Sequence, residues 1–217
     1  MSRMFVSLIV TALLVLFCHY FVDAELALFI SRRFVGNSAW TRYTAAIPDL
    51  LFPLVCIITL VAVFCYLVRS RRGAHSPATS FFQLVAYAVP ASFIGKTILK
   101  LIFGRINTRF WLHNPQLYGF HWFHGGGFYD GFPSGHMAVF TAFMAALWRI
   151  YPRSRRICLI CLLALASALI VTNYHFLGDV LAGAYLGWLA EAVSHRVLHR
   201  QRPLPGQCAS TPRTKIG

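Results

Sequence analysis

Charged side chains are scarce in this sequence, and acidic ones are the scarcest. Only 12% of the 217 residues are charged, whereas soluble domains carry about 25%, and only six residues are Asp or Glu. Together with 58% hydrophobic residues, this composition excludes an ordinary soluble domain and predicts an integral membrane protein. The few acids also exclude the carboxylate-rich sites that magnesium ions or pairs of metal ions require. We therefore expect no metal and no other cofactor.

Paired cysteine motifs are missing as well. Five of the six cysteines lie within or beside apolar runs, and the single CxxC, formed by Cys158 and Cys161, has no second pair. We interpret these cysteines as ordinary apolar packing rather than as metal ligands.

Long apolar runs are what the sequence does contain. A membrane-spanning helix needs about 20 mostly apolar residues. Six runs fit this requirement, and they cover residues 4–22, 50–68, 81–103, 134–149, 157–174 and 176–192. We predict an all-α, polytopic membrane protein with six transmembrane helices in one domain, residues 1–195. An alternative for the first run is a signal peptide cleaved after the VDA at residues 22–24, but its length favours a retained helix.

The basic residues predict the orientation of these helices. The net charge is +14, but most basic residues flank apolar runs, which indicates membrane topology rather than nucleic-acid binding. If six helices alternate in direction, one group of basic residues lies on the same side, which we take as cytoplasmic: Arg3, Arg69, Arg71, Arg72, Arg149, Arg153, Arg155, Arg156 and those of the C-terminal tail from residue 196. The other side, the periplasm or exterior, receives Arg32, Arg33, Arg42, Arg105, Arg109 and the loop of residues 104–132.

Two segments fall outside the spanning helices. Residues 25–34 are predicted to form a short amphipathic helix that lies at the exterior membrane surface. Residues 196–217 are polar and contain proline, so we expect a disordered cytoplasmic tail.

The first candidate for chemistry is the FPSGH motif that opens the fourth helix. Pro133 suits a helix entry, and Ser134 suits an N-cap. The amides of Ser134 and Gly135 and the helix dipole favour a bound anion, phosphate above all. The alternative is that these residues only cap the helix and His136 merely follows them.

The second candidate is the pair of His175 and Asp179, which are four residues apart at the start of the last helix. They share one helical face, so the carboxylate can hold one imidazole nitrogen and leave the other free to attack. Ionisable groups at the end of a membrane helix are costly, so a functional role is the default hypothesis for them. The alternative is a pair that only anchors the helix.

The third candidate is a group of cations at the end of the third helix. Lys96 and Lys100 share a helical face, and Arg105 and Arg109 follow in the loop. Basic side chains that extend to the membrane interface are the simpler interpretation, but it accounts less easily for four cations. Opposite an anion-binding helix start, such a group indicates a phosphate pocket.

These three elements resemble the type-2 phosphatidate phosphatase superfamily, which also contains the vanadium haloperoxidases. The resemblance covers roughly residues 81–188 and rests on FPSGH with a distal His-x-x-x-Asp. It implies metal-free hydrolysis of a phosphate ester or pyrophosphate through a phosphohistidine. It implies that His175 is the nucleophile, Asp179 its orienting partner and His136 the general acid. It also implies the phosphate-binding residues, which are Ser134, Gly135, Lys100 and Arg105.

The sequence departs from this family at two arginines. Counting from Lys100, Asn107 and Thr108 stand where the family has Arg-Pro, and counting back from His175, Ala168 and Leu169 stand where it has Ser-Arg. Candidates to supply the missing charge or hydrogen bonds are Arg109, Lys96, His121 and His124.

Three functions are compatible with this reading. The first is a phosphatase for a lipid phosphate: undecaprenyl diphosphate, phosphatidate, phosphatidylglycerol phosphate or a lipid A phosphate. The second is a catalytically impaired protein that binds or transports a lipid phosphate. The third is a haloperoxidase-like enzyme that oxidises with bound vanadate, but the predicted six-helix membrane form argues against it. We expect a bacterial inner-membrane location with the site facing the periplasm.

Overall fold

The computed structural model of the protein describes residues 2–34, 51–73 and 76–200. In these ranges the regular secondary structure is helical, apart from one isolated bridge between Arg105 and Phe120. The all-α prediction is therefore confirmed for the described residues. The α-helices are α1 Ser2–Phe17, α2 Asp23–Phe34, α3 Leu51–Arg71, α4 Pro77–Phe103, α5 Thr108–His113, α6 Gly135–Ile150, α7 Arg155–Val171 and α8 Leu177–Arg200.

The first two helices form one continuous helical segment. A π-helical turn, Cys18–Val22, joins them, and the backbone stays right-handed helical at both junctions. The candidate span Met4–Arg33 runs through this turn. The predicted separate interfacial helix at residues 25–34 is therefore corrected, because that segment is helical but continues the first helix. Its Ala27 is buried in an apolar cluster with Ile106, so the apolar face packs on protein rather than on the membrane surface.

Four helical segments of the described chain are long and apolar enough to cross a membrane. They are Met4–Arg33, Pro53–Arg71, Pro77–Phe103 and Pro152–Val171. The other two predicted spans correspond to α6 and α8. Helix α6 is apolar but has only 16 residues, and the 24-residue α8 carries Asp179 and Glu191. The count of six spans stays a prediction.

Helix α8 packs against α1, α4 and α6, and α4 also packs against α3. Two glycines of α8 set its close approach to α6. A Cβ atom on Gly183 would lie 2.4 Å from the carbonyl oxygen of Ser134, and one on Gly187 would lie 2.2 Å from that of Ala138. Their GxxxG spacing is typical of helix pairs that pack closely in membranes. This contact brings the first turns of α6 and α8 together.

Charged groups lie at both ends of the bundle that contains α4, α6 and α8. At one end α4 stops at Gly104, whose φ of +50° favours glycine and whose N–H donates to the carbonyl of Lys100. At the opposite end Arg149 and Glu191 form a two-bond ion pair, with Nη2 and Oε2 2.8 Å apart.

The last helix extends further than expected. Residues 196–200, which we assigned to the tail, are helical and belong to α8. Residues 201–217, the rest of the predicted tail, and Arg42 lie outside the described residues.

Candidate active site

The start of α6 is built as the sequence predicts. The Ser134 hydroxyl accepts a hydrogen bond from the Met137 N–H at 3.4 Å, and Ser134 is the N-cap. Ser134 is fully buried, and its own N–H donates to the carbonyl of Asp179 at 3.0 Å. The first N–H groups of a helix have no acceptor within the helix. Those of Gly135 and His136 are therefore available to bind an anion. The N-termini of α6 and α8 are thus joined at one place.

His175 and Asp179 lie together at the start of α8. The Nδ1 atom of His175 is 3.7 Å from Oδ2 of Asp179, and both side chains are buried. That Oδ2 also accepts a hydrogen bond from the Phe176 N–H at 3.1 Å, which fixes the carboxylate at the helix start. A distance of 3.7 Å exceeds a hydrogen bond, so a small rotation of the imidazole is needed to form one.

Tyr174 connects both histidines to one of the candidate cations. Its ring centroid is 5.7 Å from that of His136 and 5.1 Å from that of His175. The Arg109 guanidinium lies 5.0 Å from the same ring and donates from Nε and Nη2 to the carbonyl of Thr172, at 3.3 and 3.2 Å. Burial lowers the pKa of Arg109, with Tyr174 opposing, but an arginine starts so far above neutrality that it stays charged.

Lys100 forms an ion pair with Asp130, whereas Lys96 contacts an aromatic ring. The Lys100 ammonium donates to the carbonyl oxygen of Asp130 and lies 3.3 Å from its carboxylate, which is half exposed. Lys96, one turn earlier on α4, has its ammonium 4.2 Å from the Phe93 ring centroid. Of the two lysines, Lys100 is the one held against the chain that leads into α6.

The two loop histidines have local backbone partners. His121 Nε2 contacts the carbonyl of Leu117 at 3.1 Å, and His124 Nδ1 contacts that of Trp122 at 2.8 Å. His124 is exposed. These contacts hold each ring against its own loop.

Arg105 lies in a position that the sequence did not lead us to expect. Its side chain is fully buried, with Nη1 2.7 Å from Oδ1 of Asp179 and Nη2 2.7 Å from Oδ2 of Asp23. Burial alone would lower the pKa of Arg105, but these carboxylates outweigh it and raise the pKa above its ordinary value. Both guanidinium Nη groups are therefore engaged by carboxylates, and the side chain is closed off from solvent.

Sequence reasoning missed three residues around Arg105, and two of them come from the first helical segment. His19 Nδ1 is 3.1 Å from Nη2 of Arg105, and Asp23 pairs with the same group. Tyr118 stacks on His19, with centroids 4.8 Å apart, and burial raises its pKa to about 12, so it stays a neutral hydroxyl. The signal for His19 and Asp23 was present, because ionisable residues inside an apolar run are seldom without a purpose.

Several buried polar atoms of this region have no hydrogen-bond partner. Within the described chain these atoms include Nδ1 of His175, Nε of Arg105 and Oγ1 of Thr108. Buried polar groups are normally bonded, so each exception calls for an explanation, of which a chemical role is one. No group of three or more His, Cys, Asp or Glu side chains in the described residues is arranged to hold a metal ion.

The positions of the two missing arginines are filled by residues with structural roles. Asn107 caps α5 through a hydrogen bond from the Arg109 N–H at 3.0 Å. Leu169 is buried in an apolar cluster with Met137 and Tyr174, next to the start of α6. Arg109 is the nearby cation that contacts the Tyr174 ring.

The fold and the site define a helical membrane protein in which a histidine–carboxylate pair lies beside a Ser-Gly-His helix start. The chain belongs to the PAP2 superfamily, whose model matches residues 80–203, more than half of the sequence. The resemblance drawn from the motifs is thereby confirmed.

Two curated proteins resemble the chain. The lipid A 1-phosphatase of Rhizobium etli (strain CFN 42) is 28% identical over 162 residues, 71% of this chain and 64% of that protein. The protein of the same name from Rhizobium johnstonii (strain 3841) is 29% identical over 153 residues, 70% of this chain and 59% of that protein. The chain therefore spans about three fifths of the length of these relatives. No solved structure matches it significantly.

Proposed function

We propose that this protein is a membrane phosphatase that hydrolyses a lipid phosphomonoester or diphosphate through a phosphohistidine. The observation that carries the proposal is the position of His175 beside Asp179, on a helix start that is hydrogen-bonded to the Ser134 helix start. A nucleophile with its orienting carboxylate thus lies next to an anion-binding helix terminus. Membership of the PAP2 superfamily supports the same reaction.

In the first step, Nε2 of His175 attacks the phosphorus atom, and the bond from phosphorus to the leaving oxygen breaks. Asp179 holds the proton on Nδ1, so the lone pair lies on Nε2, and the carboxylate stabilises the positive charge that develops on the ring. His136 donates a proton to the leaving oxygen as the general acid. The products are a phosphohistidine and the dephosphorylated lipid.

In the second step, water attacks the phosphohistidine and the nitrogen–phosphorus bond breaks. His136, now neutral, accepts the proton of the water as the general base. Inorganic phosphate leaves, and both histidines return to their starting protonation states. The scheme needs positioning and charge stabilisation, and no metal ion enters the balance.

The phosphoryl oxygens are bound by the start of α6 and by nearby cations. The Ser134 cap and the Gly135 amide form the helix terminus, and Lys100 and Arg109 supply positive charge. We place Lys96 at the edge of this set, since it lies one turn further from the helix end. For Arg105 we replace the expected phosphate contact by a role behind Asp179, developed in the next subsection.

The lipid A phosphate is our first candidate among the four lipids, because the two curated relatives carry the name lipid A 1-phosphatase. We also propose that six helices cross a bacterial inner membrane, with the site at the periplasmic face and the C-terminus in the cytoplasm. The flanking arginines support this orientation.

The reaction is tested by phosphate release from the purified protein in detergent. A panel of the four lipid phosphates is assayed in excess EDTA, with and without vanadate, which mimics the five-coordinate phosphorus. We expect turnover in EDTA, inhibition by vanadate and no turnover in His175→Ala. Loss of activity in EDTA and its recovery with magnesium would contradict the phosphohistidine route.

A binding protein without turnover is the second candidate. The observation in its favour is that Leu169, at the position of a family arginine, is buried in an apolar cluster. Trapping decides between the two: a ³²P-labelled lipid phosphate should leave acid-labile, base-stable label on the wild type and none on His175→Ala. Lipid binding without label or release would favour the binding protein.

The orientation is tested with a cysteine at the exposed position of His124. In a chain whose six native cysteines are replaced, His124→Cys should react with a membrane-impermeant maleimide in spheroplasts that have intact inner membranes. Labelling that requires permeabilisation would reverse the orientation and the side on which the substrate binds.

A further inference from the structure

The first helical segment contributes a carboxylate that is bound inside the site. Asp23 is 1% exposed, and its two oxygens have separate partners. Oδ1 accepts a hydrogen bond from the Gly178 N–H at 3.0 Å, and Oδ2 lies 2.7 Å from Nη2 of Arg105. Arg105 in turn binds Asp179, the residue that follows Gly178. Asp23, Arg105 and the first turn of α8 therefore form a closed ring of hydrogen bonds.

This ring divides the two oxygens of Asp179 between two partners. Arg105 holds Oδ1 at 2.7 Å, which leaves Oδ2 facing Nδ1 of His175 and the Phe176 N–H. Without a fixed guanidinium, the carboxylate would keep only the Phe176 N–H as an anchor, and it would rotate more easily about its last side-chain bond, away from the histidine. Asp23 fixes the guanidinium from the other side, through a charge-assisted bond in a buried place.

The backbone of the first helical segment is shaped for this contact. Residues 19 and 23 are four apart, so they lie on the same side of this segment, and the π-helical turn Cys18–Val22 runs through the stretch between them. Both His19 and Asp23 contact Nη2 of Arg105. Single π-helical turns inside α-helices are rare and occur often at functional sites.

The glycine at the centre of the ring is required by space. A Cβ atom on Gly178 would lie 2.9 Å from Oδ2 of Asp23 and 3.4 Å from Nη1 of Arg105. Any larger residue would displace the Asp23 carboxylate, which holds Arg105.

We propose that Asp23 is a positioning residue of the active site, which acts on His175 through Arg105 and Asp179. The proposal rests on the proposed phosphatase function. It also requires that the first helix stay attached, because cleavage after Ala24 would separate Asp23 from α8.

The kinetic test compares Asp23→Asn with a matched control, Glu25→Gln, which removes an exposed acid two residues further along the same segment. We expect Asp23→Asn to lower kcat by about 10- to 100-fold, the scale of a misplaced catalytic group, with KM within threefold of wild type. Glu25→Gln should behave as wild type. An unchanged kcat in Asp23→Asn would overturn the proposal.

A double substitution separates positioning from general destabilisation. If Asp23 acts through Asp179, adding Asp23→Asn to Asp179→Asn should lower the residual kcat by less than threefold. A merely structural role would lower kcat equally in both backgrounds, and that result would overturn the proposal.

Asp23→Glu gives a second variant in case Asp23→Asn folds poorly. Glutamate keeps the charge but adds a methylene to a packed place, whereas asparagine keeps the volume and loses the charge. Positioning by charge predicts higher kcat for Glu than for Asn, and packing alone predicts the reverse order.

A spectroscopic measurement tests the proposal even if no lipid is turned over. In ¹⁵N-histidine NMR spectra, with the His175 signal assigned by His175→Gln, the wild type should show the proton on Nδ1. Asp23→Asn should shift the ring toward a mixture of tautomers. If the wild type hydrolyses no lipid but Asp23→Asn shows this shift, the phosphatase function is overturned and the positioning role is supported. If the tautomer of His175 is the same in Asp23→Asn and wild type, the positioning role is overturned.

Discussion

Replacing Gly183 by alanine tests how closely α6 and α8 must approach for the site to function. The added Cβ would lie 2.4 Å from the carbonyl oxygen of Ser134, and contacts under 3.0 Å are essentially never observed. The two helix starts must therefore separate by at least about 0.6 Å, the difference between these distances. Because that oxygen belongs to the N-cap of α6, the separation moves the proposed phosphate-binding turn away from His175.

The expected magnitudes follow from packing and from catalytic geometry. Overfilling a packed contact costs about 1–3 kcal/mol of stability. Misplacing catalytic groups by about 1 Å lowers rates by roughly 100-fold, so a shift of somewhat less predicts a fall in kcat of about 10- to 100-fold. Gly187→Ala, which meets the Ala138 carbonyl one turn deeper, should lose similar stability but less activity.

Gly95→Ala is the matched control, because its Cβ would lie 3.3 Å from a terminal carbon of Leu186, a side chain that can move. The assay combines thermal unfolding in detergent with initial rates on the folded protein. Wild-type kcat in Gly183→Ala, with unchanged unfolding temperature, would refute the reasoning. A loss of activity equal to that of Gly95→Ala would do so as well.

Two further predictions concern arginines at opposite ends of the bundle. Arg109→Ala should lower kcat about 30- to 1000-fold, equivalent to roughly 2–4 kcal/mol of lost transition-state stabilisation. Arg109→Lys should recover only part of this kcat, because lysine keeps the charge but lacks the planar fork of arginine. A kcat within threefold of wild type would place Arg109 outside the phosphate pocket. Arg149→Ala leaves the buried Glu191 unpaired and should cost roughly 3 kcal/mol, measured as a lower unfolding temperature, with kcat on folded protein unchanged. The control is the exposed Arg153→Ala, and equal unfolding temperatures for both variants would contradict the prediction.

The helix starts were predictable because their signals are local. Ser134 precedes an apolar run and follows a proline, and the structure has it as the N-cap of α6. The pair of His175 and Asp179 was predictable from spacing alone, since residues four apart at a helix start lie on one side. In both cases the interacting groups are near in sequence, so periodicity and capping preferences are sufficient.

The role of Arg105 was not predictable in this way. Its partners Asp23 and Asp179 lie 82 and 74 residues away in the sequence. No periodic pattern connects these segments, and a cation beside a phosphate motif is naturally interpreted as a phosphate ligand. Asp23 itself was misleading, because the residues around it also look like the end of a signal peptide.

The length of the first helix was underestimated for a related reason. Asp23 and Glu25 interrupt the apolar run, and polar residues normally mark the end of a membrane span. The structure continues the helix because Asp23 has partners inside the protein and Ala27 is buried against Ile106. A polar residue is accepted within a span where it faces partners inside the protein, and the sequence alone does not say which way it faces.

The scarcity of acids therefore has a structural meaning. In the described chain, Asp23 and Asp179 share Arg105, Asp130 contacts Lys100, and Glu191 is paired with Arg149. An unpaired carboxylate inside a membrane is costly, which accounts for the cation beside each of these four acids, whereas Glu25 is exposed. Three of these four acids gather at the end that holds the two histidines.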